Sequence, residues 1–293
     1  MTKTEKFHEL LREPGSFILP GAYDAMSARL IEETGFKAIY ATGAGISNAQ
    51  IGWADVGLTS LKEVVDIVAR MADVTSVPIV VDADTGFGNA INVIRTVREF
   101  ERAGAAAIQM EDQVSPKKCG HFSGKEVISK EEMVNKIKAV LDTRQDDKLA
   151  VIARTDALAV NGMGDAIERA HTYREAGADI IFVEAPTTID QLKEITNSLK
   201  GIPQIINLVE GGRTPLMSLL EAEEIGFKIM LCANTALRSA IKGITESLKV
   251  LKEEGSQENV MDLICTWEER QSLFKLDQVK QWEKEYLYNI NLK

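Results

Sequence analysis

Short apolar runs alternate with amphipathic segments along most of the chain. Eight of the runs predict buried strands because they are rich in Val, Ile, Leu and Ala: SFILPG, FKAIYATG, VPIVVDAD, AAAIQMED, LAVIARTD, DIIFVEA, PQIINLVE and FKIMLCAN. Four of them follow a glycine that closes a helical pattern, namely Gly35, Gly104, Gly177 and Gly226. A glycine there suits the left-handed position after a helix. The intervening segments have apolar residues at helical spacing, and several open with Ser, Thr or Asp, so they predict helices.

Eight alternating strand and helix units predict an α/β fold, a (β/α)₈ barrel of the TIM type, over residues 1–255. The alternative is an open doubly wound sheet. We favour the barrel because the units use the chain evenly and no Gly-rich dinucleotide fingerprint is present. Residues 256–293 predict a helical tail that carries Trp267, Phe274 and Trp282. The pattern leaves open whether this tail packs on its own barrel or on a neighbouring subunit.

Composition narrows the class of partner. The chain has 293 residues, a formal net charge of −10 and no large basic cluster, which disfavours nucleic acid and anionic membranes as partners. It has no apolar stretch long enough to span a bilayer. Three cysteines without a CxxC pattern fit a reducing, cytoplasmic setting. Nucleic acid is therefore a poor candidate, which leaves a small-molecule partner open.

Polar residues follow most of the predicted strands, at the end of a barrel that carries catalytic groups. They are Thr42, Gly43, Ala44, Asp82, Asp84, Glu111, Asp112, Arg154, Asp156, Glu184, Asn207 and Glu210. Converging carboxylates repel one another and need a cation, and oxygen ligands without a His or Cys cluster favour Mg²⁺ or Mn²⁺. Asp82 and Asp84 are two residues apart, which predicts that they leave one face of a strand. Arg154 suits a substrate carboxylate or an ion pair with an acid such as Glu184.

The stretch EDQVSPKKCGHFSGK contains Lys117, Lys118, Cys119, Gly120 and His121 in a row. With PGAYDAMSARL, VDADTGFG, ARTDA and FVEAP elsewhere, it resembles the lyase branch of the isocitrate lyase and phosphoenolpyruvate mutase superfamily. The resemblance covers nearly the whole chain. It implies a (β/α)₈ barrel whose C-terminal helices are exchanged between paired subunits, in a homotetramer built as a dimer of such dimers.

The resemblance also implies an activity. It is the Mg²⁺-dependent cleavage of a C–C bond in a 2-hydroxy dicarboxylate of the 2-alkylmalate type, such as 2,3-dimethylmalate, which yields a 2-oxo acid (pyruvate) and a carboxylate. Methylisocitrate cleavage and oxaloacetate hydrolysis are alternatives. Phosphonomutase chemistry is disfavoured because the mutase branch has an asparagine-containing loop where this chain has Cys119. A barrel that binds a dicarboxylate without turnover is the non-enzymatic alternative.

Site residues are carried over position by position. The resemblance implies metal ligation by Asp82 and Asp84, with Asp84 the nearer, and by Glu111 through water. Cys119 is the implied acid/base, and Glu111, Arg154 and His121 complete the implied catalytic set. Lys117 and Lys118 would add positive charge near the thiol and lower its pKa. The implied substrate-binding residues are Tyr40, Thr42, Gly43, Ala44, Asp55, Gly120, Glu184 and Asn207.

Three places bear on the substrate. NLVEGGRTP, from Asn207 to Pro215, resembles the alkylmalate and oxaloacetate group more than the methylisocitrate lyases. Phe122 stands where several methylisocitrate lyases have an arginine for a third carboxylate. Around the last strand, Cys232, Ala233 and Asn234 depart from the usual family pattern, and Asn234 would add a polar group near the mouth of the barrel.

Overall fold

A closed barrel of eight parallel strands forms the centre of the fold. The computed structural model describes residues 1–118, 120 and 124–287, so Cys119, His121 and Phe122 lie outside the described residues. Each strand pairs with its sequence neighbours, and the last pairs with the first. The strands are β1 (Phe17–Ala22), β2 (Ile39–Ala41), β3 (Ile79–Asp82), β4 (Ala107–Glu111), β5 (Ala150–Thr155), β6 (Ile180–Val183), β7 (Gln204–Asn207) and β8 (Ile229–Cys232). The predicted barrel is therefore confirmed, and the open sheet is wrong.

Helices connect the strands in the predicted alternation. They are α1 (Lys3–Arg12), α2 (Ala25–Glu33), α3 (Gly43–Ile46), α4 (Leu61–Val74), α5 (Ala90–Arg102), α6 (Lys130–Thr143), α7 (Ala157–Asn161), α8 (Met163–Glu175), α9 (Ile189–Ser198), α10 (Leu219–Ile225), α11 (Thr235–Glu254), α12 (Trp267–Leu273) and α13 (Leu276–Tyr286). A π-helical turn covers Ser47–Ile51, and a 3₁₀ turn covers Glu258–Leu263. Within the described chain, no helix has both the length and the apolar character needed to cross a membrane.

Local sequence fixes where the helices begin and end. Ser60 and Glu63 form a reciprocal capping box at the start of α4, and the Ser129 hydroxyl accepts a hydrogen bond from the Glu132 N–H at the start of α6. Such caps satisfy amide groups that have no partner inside the helix. The four recurring glycines named above all have positive φ angles, as the pattern predicts.

One buried apolar cluster draws side chains from all eight strands. Its largest members include Leu19, Ile152 and Phe182. Phe7 and Leu10 of α1 belong to the same cluster, and Phe17, the first residue of β1, packs against it. Helix α1 therefore packs at the amino-terminal end of the barrel, which leaves the carboxyl ends of the strands for polar residues.

Gly21 of β1 lies unusually close to the turn after β8. A β-carbon added there would stand 2.0 Å from the carbonyl oxygen of Ala233, well inside van der Waals contact. Because the obstructing atom belongs to the backbone, no side-chain rotation can relieve the clash. The absence of a side chain at Gly21 thus allows β1 to approach Ala233.

Contacts divide the chain into two compact units, Met1–Leu237 and Arg238–Lys293. The first contains the whole barrel. The second contains most of α11, together with the 3₁₀ turn, α12 and α13, so a helical tail follows the barrel. The predicted boundary at residue 255 stays a prediction, and so does the exchange of tail helices between subunits.

We expect Gly21→Ala to lower the free energy of unfolding by about 1–3 kcal/mol, the usual range for overpacking. The substituted β-carbon must displace the Ala233 carbonyl and hence the end of β8. Urea denaturation would measure the change.

The matched control is Gly164→Ala in α8, where a β-carbon meets nothing within 4 Å. It should leave stability unchanged or raise it by up to about 1 kcal/mol, because Gly is a poor helix former. Equal urea midpoints for Gly21→Ala and the unaltered protein would contradict the close approach.

Candidate active site

The carboxyl ends of the strands enclose a small cavity. It is lined by Tyr40, Thr42, Ala44, Asp55, Asp82, Lys117, Gly120, Arg154, Glu184, Asn207, Val209, Leu231, Ala233 and Asn234. Most of the predicted site residues are in this set, and Gly43, Asp84 and Glu111 join it through contacts given below. Cys119 and His121 lie outside the described residues, so their predicted roles stay predictions. The barrel therefore gathers the polar strand ends in one place.

Asp82 and Asp84 meet for a different reason from the predicted one. Strand β3 ends at Asp82, and Asp84 has a φ angle of +48°, so strand alternation does not bring the two side chains together. Instead, the Asp84 N–H donates a hydrogen bond to Asp82 Oδ1 (3.1 Å), and the Gly43 N–H donates to Asp82 Oδ2 (3.2 Å). Both acids are buried. The Asp82 carboxylate therefore joins the backbone of Gly43 to that of Asp84. The left-handed backbone conformation of Asp84 turns its own side chain towards the loop.

Lys117 bridges two acids at this end of the barrel. Its Nζ lies 2.6 Å from Asp55 Oδ1 and 2.9 Å from Asp84 Oδ1, and its side chain is only 5% exposed. Burial raises the pKa of Asp84 to about 6; Lys117 opposes the rise, and Asp82 and Asp55 add to it. The sequence suggested that this lysine would supply charge near the thiol. Its described partners are carboxylates.

Arg154 is surrounded by three buried acids. Its closest partner is Asp156, which accepts hydrogen bonds from Nε (2.9 Å) and Nη2 (3.1 Å). Glu111 Oε2 and Glu184 Oε2 lie 3.4 and 3.9 Å from Nε. The guanidinium carbon also lies 5.2 Å from the centre of the Phe182 ring, a cation–π distance. The predicted pairing with Glu184 is thus the longest of the three, and the main partner is Asp156.

Glu111 and Asn207 present unsatisfied acceptors. Glu111 Oε1 and Asn207 Oδ1 are both buried, and no described residue donates a hydrogen bond to either atom. Burial raises the pKa of Glu111 well above its ordinary value, although Arg154 opposes the rise. Asn207 Nδ2 donates to Glu184 Oε1 over 3.3 Å, so the free oxygen of the amide is the one available to a ligand. Unpaired buried acceptors are costly, and they occur where a ligand completes the site.

Gly120 packs directly on the side chains of Arg154 and Glu184. A β-carbon at Gly120 would stand 2.4 Å from Arg154 Nη2 and 2.4 Å from Glu184 Oε1. Only a glycine lets the backbone of the KKCGH segment approach the guanidinium and the carboxylate so closely. Gly120 therefore lies beside Arg154, as a member of the site should. Its contact with substrate stays a prediction.

Gln109 is a buried polar residue that the sequence reading passed over. It lies on β4, where its Oε1 accepts a hydrogen bond from the Tyr40 hydroxyl (2.6 Å) and its Nε2 donates to Asp82 Oδ1 (3.4 Å). Burial also raises the pKa of Tyr40 well above its usual value. A lone glutamine inside the apolar run AAAIQMED is the signal that could have found it, because a polar side chain inside a barrel needs a partner.

Asp112 supports the site from behind. It is fully buried and accepts hydrogen bonds from the Thr155 hydroxyl (2.8 Å), the Asp156 N–H (2.9 Å) and the Tyr173 hydroxyl (2.8 Å). Arg169 Nη1 adds an ion pair at 3.1 Å. Asp112 therefore fixes the backbone that carries Asp156, and it is saturated by protein donors.

The acids at the mouth suit a hard divalent cation. Among residues 1–118, 120 and 124–287, no three His, Cys, Asp or Glu side chains are grouped to hold a metal ion by themselves. Magnesium, however, usually takes one or two carboxylates and fills its remaining positions with water and substrate oxygens. Glu111 Oε1 is buried without a hydrogen-bond donor among the described residues, and Asp84 Oδ1 is buried with Lys117 Nζ at 2.9 Å. The donor set therefore fits Mg²⁺, and ligation by Asp84 stays a prediction.

Comparison with known proteins gives a consistent family. The sequence profile of the phosphoenolpyruvate phosphomutase family matches residues 7–252. A 2,3-dimethylmalate lyase from Eubacterium barkeri is 44% identical over 98% of this chain and 99% of its own length. A 2-methylisocitrate lyase from Aeropyrum pernix is 45% identical over 88% of this chain and 82% of its own length.

Solved structures agree in fold. A crystal structure of 2,3-dimethylmalate lyase, described as a PEP mutase/isocitrate lyase superfamily member, superposes with a TM-score of 0.92, at 33% identity over 100% of this chain and 99% of that one. Phosphonopyruvate hydrolase in complex with oxalate and Mg²⁺ gives a TM-score of 0.89, at 29% identity over 98% of this chain and 100% of that one. The chain therefore belongs to the phosphoenolpyruvate phosphomutase family, within the PEP mutase/isocitrate lyase superfamily.

Proposed function

We propose that this protein is a Mg²⁺-dependent carbon–carbon lyase that cleaves a 2-hydroxy dicarboxylate of the 2-alkylmalate type. For 2,3-dimethylmalate the products are pyruvate and propionate. The observation that carries the proposal is a pair of buried oxygens, Glu111 Oε1 and Asn207 Oδ1, that have no hydrogen-bond partner among the described residues. They lie at a mouth that also holds Arg154 and the ion pair of Lys117 with Asp84. The carboxylate and amide oxygens can accept from a substrate hydroxyl or bind a metal cation. The positive side chains can bind the carboxylates of the substrate. The 44% identity to a 2,3-dimethylmalate lyase over nearly the full chain supports it.

Asp84 would hold the metal directly, with Asp82 and Glu111 contributing through water; Mg²⁺ is the proposed ion, and Mn²⁺ suits the same ligands. When bound, the ion would act as a Lewis acid on the hydroxyl and carboxylate of the half that becomes the 2-oxo acid. Lys117 lies 2.9 Å from Asp84, so it limits the negative charge that gathers there. Tyr40 and Gln109 keep Asp82 oriented.

Glu111 is suited to accept the hydroxyl proton. Its Oε1 is buried and has no hydrogen-bond partner among the described residues, and its raised pKa makes the carboxylate a stronger base than an ordinary glutamate. Loss of that proton lets the C2–C3 bond break, because the oxygen electrons form the new carbonyl of the oxo acid. The electron pair of the broken bond passes to C3 and its carboxylate.

Arg154 would stabilise the carboxylate on which this charge develops. It is held between Asp156 and the Phe182 ring, so its orientation is set before substrate arrives. Cys119 is the proposed donor of the proton that C3 then receives, on the resemblance of the KKCGH segment. Gly120 lies against Arg154 and Glu184, so the backbone next to Cys119 covers the same charged group and helps to exclude water.

The lining of the cavity favours an alkylated dicarboxylate. Val209, Leu231 and Ala233 give it an apolar side, which suits the methyl groups of a 2-alkylmalate. Phe122 stands where an arginine would meet a third carboxylate. Methylisocitrate remains the second candidate because Asn234 also lines the cavity and adds a polar group that a third carboxylate could use.

We also propose that the protein works as a homo-oligomer joined through its second unit. Four apolar residues form a stripe at helical spacing along α11, namely Ile241, Ile244, Leu248 and Leu251, and all four are exposed. Trp267 and Trp282 in the same unit are more than half exposed. Large exposed apolar patches mark interfaces, and a second copy of the chain is the proposed partner.

The substrate proposal predicts that the protein with Mg²⁺ cleaves 2,3-dimethylmalate, with release of pyruvate, faster than it cleaves methylisocitrate, citramalate, isocitrate or oxaloacetate. EDTA should abolish the activity, and added Mg²⁺ should restore it. A coupled lactate dehydrogenase assay measures pyruvate, and chromatography measures the glyoxylate formed from isocitrate and the oxalate formed from oxaloacetate. Turnover of phosphonopyruvate with silence on every C–C substrate would contradict the proposal.

For the metal role, we expect Asp84→Asn to reduce Mg²⁺-dependent turnover on the order of 10³-fold, because it removes the charged ligand while keeping the shape. Isothermal titration should show loss of Mg²⁺ binding as well. Asp66→Asn, which removes an exposed carboxylate of a surface ion pair, is the control and should change neither quantity. Unaltered Mg²⁺ affinity in Asp84→Asn would rule out Asp84 as the ligand.

For the assembly, Ile244→Asp combined with Leu248→Asp should reduce the particle mass seen by light scattering towards the 32.2 kDa of one chain. A charge on each exposed apolar position opposes burial against a second copy. Ile91→Asp is the control, because Ile91 is 74% exposed on α5 in the barrel unit. A monomeric unaltered protein would refute the proposed interface.

A further inference from the structure

Lys125 is a buried cation that the mechanism above does not use. It lies four residues after the KKCGH segment, which covers residues 117–121. Its side chain is only 2% exposed. Its Nζ donates to the Gly120 carbonyl (2.6 Å) and to Asp156 Oδ1 (2.5 Å). Burying an ammonium is expensive unless its partners are well placed, and here both partners adjoin Arg154.

Lys125 and Arg154 share one carboxylate oxygen. Asp156 Oδ1 accepts from Lys125 Nζ and, at 3.1 Å, from Arg154 Nη2. Burial alone would raise the pKa of Asp156, but Arg154 and Lys125 together outweigh it and lower the pKa. Lys125 takes the shorter bond to Oδ1, so Nη2 is held less tightly by Asp156 than Nε is. Nη2 also carries a second N–H, which can donate to another carboxylate.

The second bond of Lys125 reaches the backbone over the site. The Gly120 carbonyl is tied to Nζ, and the Gly120 α-carbon lies against Arg154 Nη2 and Glu184 Oε1. Other contacts hold Lys118 and Gly124 on either side of Gly120. The Gln113 side-chain amide exchanges two hydrogen bonds with the Lys118 backbone, and Lys118 Nζ donates to the Gly124 carbonyl (2.6 Å). Lys125 is thus the described contact that joins Gly120 to the Asp156–Arg154 pair.

We propose that Lys125 is a positioning residue, which seats Gly120 on the site and frees Arg154 Nη2 for the carboxylate that gains charge during C–C cleavage. This inference rests on the proposed function, since it names what readies the arginine of that same site. Without the ammonium, Asp156 would draw the guanidinium wholly to itself, and the Gly120 carbonyl would lose its donor. Since the affected contact strengthens as charge develops, the loss should fall on kcat more than on KM.

Lys125→Met tests the proposal, because methionine keeps most of the length and removes the charge. With 2,3-dimethylmalate and Mg²⁺, we expect kcat to fall about 30-fold while KM changes less than about 3-fold. Lys125→Arg, which retains a cation, should recover at least a third of the lost kcat on a logarithmic scale. The matched control is Lys130→Met, which removes a lysine paired with Glu168 outside the cavity and should stay within 2-fold.

A second readout does not depend on turnover. Hydrogen–deuterium exchange should accelerate at least 10-fold in the peptide Asp112–Ser129 of Lys125→Met and stay unchanged in a peptide covering β3. Affinity for oxalate with Mg²⁺ should change less than 3-fold, since the carboxylates of Asp82 and Asp84 are untouched.

Several results would contradict the role of Lys125 or the proposed function. Lys125→Met with kcat within 2-fold of the unaltered protein, or with exchange unchanged in the 112–129 peptide, overturns the inference. So does a loss that Lys125→Arg does not recover and that accompanies faster exchange throughout the barrel, because that pattern is general destabilisation. If the unaltered protein cleaves no C–C substrate, the proposed function fails, and the exchange measurement alone decides whether Lys125 holds the segment.

Discussion

The burial of charges of both signs at the carboxyl end of the barrel is the constraint on which the site depends. Arg154, Lys117 and Lys125 are all nearly inaccessible to water, and so are Asp84, Asp156 and Glu111 beside them. Removing one partner of a buried ion pair typically costs about 3–5 kcal/mol, because it leaves the other charge uncompensated. Each cation therefore has to be matched by at least one acid at short distance. The two groups of contacts, Lys117 with Asp55 and Asp84, and Arg154 and Lys125 with Asp156, satisfy that requirement in parallel.

The barrel makes this possible because it divides its two ends between different tasks. Apolar side chains from all eight strands and from α1 fill the interior and the amino-terminal end. Polar side chains are left at the carboxyl ends, where successive parallel strands bring residues that are far apart in sequence into contact. Asp82, Glu111 and Arg154 end or nearly end three neighbouring strands and belong to one electrostatic group. Arg154 and the loop lysines offset the cost of burying these acids.

The sequence was sufficient for the barrel and for which strand ends are polar. Strand periodicity, the glycines after helices and the serine caps each have a local physical cause, and each is visible in a single stretch of chain. The partners of the site residues were less predictable. Asp84 meets Asp82 through a left-handed backbone rather than strand alternation, and Arg154 bonds mainly to Asp156 rather than Glu184. Such choices depend on distances between strands and loops, which no local pattern contains. The reach of Lys117 to Asp55, some sixty positions away, is of the same kind.

The unsatisfied acceptors show where the compensation stops. Asp112 has every oxygen met by protein donors, so it stabilises the fold and has nothing left for a ligand. Glu111 Oε1 and Asn207 Oδ1 are buried as well, yet within residues 1–118, 120 and 124–287 no donor meets either of them. Each such atom lowers stability by about 1–3 kcal/mol unless something else supplies a donor or a cation. The fold satisfies the carboxylate of Asp112 behind the site. It leaves the oxygens of Glu111 and Asn207 inside the site without donors, where a ligand can supply them. That asymmetry, more than the number of charges, distinguishes the mouth of this barrel as a place for binding and chemistry.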